Sequence, residues 1–171
     1  MMADKSKGSL YQEQKKTKPK AEDVISDLLD GNRKHAALDF VAFIKSYKMT
    51  PQWASANSWA VSYKGKRVCY IKVSDYVSGD GSWYIRPSVD YNDALFSFIE
   101  NEKLTEIIWN SLHYCRACGK CAPGRSVTVC GKVFSKVCHG ILFEFHNPDA
   151  ATLDCAKKLV EFRRNAISGK Q

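Results

Sequence analysis

No stretch of this sequence approaches the ~20 consecutive apolar residues that cross a bilayer, so no membrane-spanning helix is expected. The first twenty residues lack the apolar core of a secretory signal peptide, and a cytoplasmic location is the corresponding expectation. Also missing are a phosphate-binding glycine-rich loop, a dinucleotide-binding fingerprint, a nucleophile elbow and any internal repeat. His35 and His146 stand at no motif spacing with a serine or an acid. These absences identify no reaction and leave open whether the chain is an enzyme. A last absence is local: no acidic residue occurs between Glu106 and Glu144, although Arg116, Lys120, Arg125, Lys132 and Lys136 fall in that interval.

What is present suits one folded domain with a tail. The chain has 171 residues, 44% of them hydrophobic and 12% aromatic, enough to bury a core without metals or disulfides holding all of it. The formal charge of +8 is uneven. Residues 1–20 carry six lysines against Asp4 and Glu13 and show no apolar period, which predicts a disordered basic tail. A solubilising role for it is favoured over a nucleic-acid arm, because the lysines have no arginine and almost no aromatic company.

Residues 21–171 read as a single α+β domain. Val24, Ile25, Leu28 and Leu29 mark a helix over 21–30 that Gly31 should stop, and its acids Glu22, Asp23, Asp27 and Asp30 form a solvated face. Ala36, Ala37, Phe40, Val41 and Ile44 mark a second helix, ended before Pro51. Trp59, Val61 and Tyr63 then alternate with Ser58, Ala60 and Ser62, the period of a half-buried strand. Lys64-Gly65-Lys66 is a hairpin turn, and strands follow over 68–73 and 83–86, giving an antiparallel meander. Asp90 is positioned to cap a helix reaching Glu100, and Leu104, Ile107, Ile108 and Leu112 predict another that closes near His113. A short cysteine-rich hairpin turning at Gly131-Lys132, a strand over 141–145 and a final helix to about Asn165 complete the order. Asn147-Pro148-Asp149 starts that helix, with Asn147 as the cap.

Five of the seven cysteines lie within 24 residues: Cys115, Cys118, Cys121, Cys130 and Cys138. Without an export signal, such a cluster suggests metal ligands or reactive thiols rather than disulfides. Two cysteines separated by two residues can aim both sulfurs at one point, and zinc takes four such ligands in a tetrahedron. Gly119 permits the positive φ of a knuckle turn, and the nearby basic residues would offset the net charge of a four-thiolate zinc site. The expectation is a structural zinc ion in segment 113–140, held by Cys115, Cys118, Cys121 and Cys138, with Cys130 in reserve. His113 and His139 border the cluster and are read as ordinary residues, either one able to replace a cysteine. Cys69 and Cys155 are read as small core residues. Two other readings stand beside zinc: an iron–sulfur cluster, and a redox pair at Cys118 and Cys121.

Trp53, Trp59, Trp83, Tyr63, Tyr70 and Tyr84 fall within 32 residues around the meander. Most of this set is expected to be core, with Trp53, Trp59, Trp83 and Tyr84 the candidate lining of a ligand groove. The stretches Pro51-Gln52-Trp53 through Trp59, Tyr63-Lys64-Gly65-Lys66, Cys69-Tyr70-Ile71, Ser82-Trp83-Tyr84-Ile85, the Cys115–Cys138 segment and Asn147-Pro148-Asp149 through Cys155 resemble an uncharacterised bacterial domain family with an aromatic-rich sheet and a Cys-x2-Cys-x2-Cys cluster. That resemblance covers roughly residues 35–165 and implies a bacterial cytoplasmic domain without implying any catalysis. The function expected is a non-enzymatic, zinc-stabilised domain that binds a small molecule or a protein partner. A thiol redox enzyme or a nucleic-acid-binding zinc module is the alternative, with nucleic acid not favoured.

Overall fold

Alternating residues build the centre of the molecule, as the computed structural model shows; it describes residues 3–74, 81–115 and 123–169. In chain order, the first half carries helices α1 (Ala3–Thr17), α2 (Ala21–Leu28) and α3 (Gly31–Ser46), then strands β1 (Gln52–Ser55), β2 (Ser58–Tyr63), β3 (Lys66–Ser74) and β4 (Ser82–Pro87). The second half carries α4 (Asp93–Asn101), α5 (Thr105–Asn110), β5 (Leu112–His113), β6 (Arg125–Val129), β7 (Lys132–Val137), β8 (Leu142–Phe143), β9 (Phe145–His146) and α6 (Ala150–Ser168). The main sheet is antiparallel in the order β1-β2-β3-β4-β9, and two-stranded sheets pair β5 with β8 and β6 with β7. This is the α+β meander with a cysteine-rich hairpin and a final helix that the sequence predicts. No helix among the described residues is long and apolar enough to cross a membrane.

The turn between β2 and β3 has Lys64 at φ 47° and Gly65 at φ 76°. Two consecutive positive φ angles make the tight turn whose twist matches the strands it joins. The helices pack on one face of the sheet. Phe40 of α3 meets Trp83 with ring centroids 6.4 Å apart, and Trp59, Ile71, Val73 and Ile85 join α2 and α6 in one continuous core. Trp59 and Trp83 are both 0% exposed. At ~25 cal/mol per Å² and about 200 Å² per tryptophan, each contributes on the order of 5 kcal/mol against the entropy of ordering the chain.

The opposite face of the sheet is mostly half-exposed and polar, with Ala60 the buried apolar residue on it. Strand register sets Ser58, Lys72, Tyr84 and His146 side by side in one row, and Ala60, Tyr70 and Arg86 in the next.

Several local expectations are corrected. The segment read as a disordered tail carries α1, and its second half is fastened to the sheet edge. Gln14, only 7% exposed, donates to Asn57 Oδ1 at 2.5 Å and accepts from the Asn57 backbone N–H at 2.7 Å and Trp53 Nε1 at 3.2 Å. Tyr11 packs on Trp53, and the Pro19 carbonyl accepts from Trp59 Nε1. One buried amide and one ring fasten the segment although it has no apolar period, and composition does not register them.

Gly31 begins α3 rather than stopping α2. Asn92, not Asp90, caps α4, accepting from the Leu95 N–H. Asn147 does not cap α6 either: its Oδ1 accepts from the Trp83 N–H at 3.0 Å, and Asp149 caps instead, accepting from the Thr152 N–H at 2.8 Å. α5 ends two residues before Leu112, which moves His113 onto a strand. The single strand expected over 141–145 is broken at Glu144. Its first part pairs with β5 and its second with β4, so the chain changes sheet at that residue.

Candidate functional site

The cysteine segment begins and ends at neighbouring points. The Cys138 N–H donates to the Cys115 carbonyl at 3.0 Å, which closes the segment's base. Arg125 Nη2 donates to the His139 carbonyl at 3.0 Å and so brings a guanidinium to the same end. Cys115 is exposed and Cys138 is buried. Cys118 and Cys121 lie outside the described residues, so the four-cysteine set and the redox pair are not described as geometry.

Cys130, the reserve ligand, is set apart from Cys115 and Cys138, the other two described cysteines of the segment. It occupies the β6–β7 turn with φ 46°, followed by Gly131 at φ 77°. Trp109 of α5 anchors this end by donating Nε1 to the Val129 carbonyl, and Lys132 lies over its ring. The six residues of β7 separate Cys130 from Cys138, a span of roughly 15–20 Å at ~3.3 Å per residue once the kink at Lys136 (φ 58°) is allowed for. Two sulfurs on one zinc ion lie within ~4.6 Å of each other, so these two cannot share one. Burial, with the charge of Glu100 adding, raises the Cys130 thiol above its ordinary pKa and opposes the thiolate that a metal needs. Cys69 and Cys155 are buried core residues whose thiols burial pushes up, Cys155 to about 12.

The four candidate groove residues divide among three places. Trp59 and Trp83 are buried on the helix side of the sheet. Trp53 lies at the β1 edge against Tyr11. Tyr84 alone reaches the open face, where its ring meets the His146 ring at 4.9 Å between centroids. They line no common groove.

The open face instead ends in a cluster that none of the sequence motifs marked. Glu144, 5% exposed, sits at the change of sheet, its N–H donating to the Ser111 carbonyl at 2.8 Å. Arg86 donates to Glu144 Oε2 through Nε at 2.8 Å and through a terminal nitrogen as well. Glu144 Oε1 lies 2.5 Å from His146 Nε2 and 3.9 Å from His113 Nδ1. Burial alone would raise the Glu144 carboxyl. Hydrogen bonding and charge from Arg86, the His146 hydrogen bond and the His113 charge more than offset this and hold it below the ordinary carboxylate value. Both histidines are exposed on the outer side and border a cleft of about 310 Å³ whose wall includes Asn110, Ser111 and Thr152.

The sequence carried one faint trace of this cluster: Glu144 and His146 are two residues apart, so an extended chain turns both to one side. The third member, His113, joins only through the β5–β8 pairing. A wider cleft of about 570 Å³ between α4 and α6 is flanked by Phe98 and Phe162 and has no cysteine or histidine in its wall. Comparison of the chain with protein-family models, with curated proteins and with solved structures finds no match.

Proposed function

We propose that this chain is a non-enzymatic binding domain, braced by zinc at its cysteine segment, that receives a small planar anion on the open face of its sheet. The observation that carries the reading is the strand register. Lys72, Tyr84 and His146 stand in one row and Tyr70 and Arg86 in the next, all at half-exposed or exposed positions. Tyrosine rings give such a ligand flat apolar area, and Lys72, which stands beside Tyr84 in the same row, sets its charge preference. Arg67 lies 4.6 Å from the Tyr70 ring centroid and adds a further cation beside the face.

The zinc part rests on the Cys115–Cys138 backbone bond, which supports convergence of the segment's two ends, together with the spacing of Cys118 and Cys121. The basic residues of an acid-free segment suit a thiolate site with excess negative charge. An extended nucleic acid fits less well, because Glu144 already neutralises Arg86 at one edge of the face.

The test is a thermal-shift panel of aromatic carboxylates and nucleoside monophosphates, run on protein whose zinc content has been measured. Stabilisation of the native chain that disappears in Lys72→Glu supports the reading. If zinc-replete protein is stabilised by no member of the panel, the sheet-face site is wrong. If freshly purified protein carries far less than about one zinc per chain, the bracing role is wrong.

A further inference from the structure

The structure assigns a second metal site, distinct from the cysteine segment: we propose that His113, Glu144 and His146 bind one divalent transition ion, zinc by donor type, with a position left open to the adjoining cleft. The three donor atoms lie within 4.8 Å of one another. Zinc bound at ~2.1 Å by nitrogen and oxygen separates its ligand atoms by roughly 3.4 Å in a tetrahedron. The His146–Glu144 pair at 2.5 Å is closer than that, and the His113–Glu144 pair at 3.9 Å is wider. Opening the first pair by about 0.9 Å and closing the second by about 0.5 Å would give both that spacing. Both rings have the room, with side chains 60% exposed for His113 and 54% for His146.

What separates this cluster from a chance meeting of surface histidines is its support. A buried carboxylate is costly to keep charged, and this one is kept so by Arg86, whose hydrogen bonds both fall on Oε2. Oε1 is left facing the two imidazoles. Arg86 therefore occupies the place of the outer partner that orients a ligating carboxylate in metal proteins. The backbone is fixed as well: the Glu144 N–H is tied to Ser111, and His146 is held in the sheet opposite Tyr84. Two imidazoles and one carboxylate are the three-donor set that leaves a fourth position for water or an added ligand. The cleft of about 310 Å³ beside them gives that position room. This site stands whether or not the sheet face takes an organic anion.

The experiment is titration of the tag-free full chain with Co²⁺ as a spectroscopic stand-in for zinc. A thiolate site gives intense sulfur-to-cobalt charge transfer in the near ultraviolet, whereas an imidazole–carboxylate site gives only visible ligand-field bands. The expected result is one cobalt per chain with ligand-field bands alone, in addition to whatever the cysteines take. His113→Ala and His146→Ala should each weaken that binding at least tenfold, while Cys138→Ser leaves it unchanged. Both histidines are exposed, so these variants should keep the native circular dichroism. If either His variant binds this cobalt as tightly as the native chain, the three-donor site is refuted. A second readout needs no variant: the imidazole proton resonances of His113 and His146 should shift on addition of Zn²⁺, and resonances that stay fixed at saturating zinc also refute it.

Discussion

Arg86 on β4 and Glu144 at the junction of β8 and β9 are joined through Arg86 Nε and Glu144 Oε2 at 2.8 Å, across 58 residues of sequence. The acid is almost wholly buried, with its side chain 4% exposed, while the base is partly in water at 33%. Removing one partner then differs sharply from removing both. Arg86→Ala leaves a buried carboxylate without its main counter-charge and is expected to cost about 3 kcal/mol. Replacing both, Arg86→Ala with Glu144→Leu, should cost less than Arg86→Ala and Glu144→Leu summed. Urea unfolding of the three variants measures this, and additive losses would contradict the pairing.

The cysteines should separate into two classes by position on the hairpin. Cys115→Ser and Cys138→Ser are expected to lower zinc content and thermal stability together, because metal bound only by the folded chain contributes folding free energy. Cys130→Asn is expected to leave zinc content unchanged. Its φ of 46° at the first position of a tight turn is one that Asn before Gly adopts readily, but the site is only 8% exposed, so the polar amide should cost about 1–2 kcal/mol. Elemental analysis and melting curves of the three variants check both halves.

The attachment of α1 makes a third prediction. Gln14→Ala removes the acceptor for the Asn57 and Trp53 N–H groups and should cost about 1–3 kcal/mol, the usual range for stranded buried polar groups. Deleting residues 1–17 should also uncover Trp53 and shift tryptophan emission to the red. A truncated chain with native emission and an unchanged urea midpoint would mean that the helix adds nothing to the fold.

Alkaline pH should weaken the fold through Cys155. Burial raises its thiol from 9.0 to about 12 in the folded chain. The folded state keeps the proton that the unfolded chain gives up. The resulting stability is whole below about pH 9 and is lost progressively as pH climbs toward 12, at ~1.4 kcal/mol per pH unit for this group. Cys69 acts in the same direction, since burial raises its thiol too. Urea unfolding between pH 8 and 10.5 should fall less steeply for Cys155→Ala than for the native chain, and parallel slopes would count against a buried neutral thiol.

Legibility from the sequence varied with the range of the interaction involved. The β2–β3 hairpin was readable because alternation from Ser58 to Tyr63 and a Lys64-Gly65 turn are signals between neighbours in the chain. The start of α6 was readable as a position but not as a cap. Asn147 and Asp149 are both good capping residues, and only the presence of Trp83 nearby decides which one is otherwise engaged. The role of α1 was hidden because its lysines dominate the composition while its attachment depends on Gln14 and Tyr11.

The sequence by itself determined the α+β class, the meander, the hairpin after the cysteine segment and the cysteine spacing, because periodicity, turn chemistry and ligand spacing act over a few residues. Tertiary structure alone decided that Cys130 stands far from Cys138, that the aromatic set divides between the two faces of the sheet, and that His113 meets Glu144 and His146. Each of these depends on which strands pair and where the chain crosses from one sheet to another, and that choice is made by burial of the whole core rather than by any local run of residues.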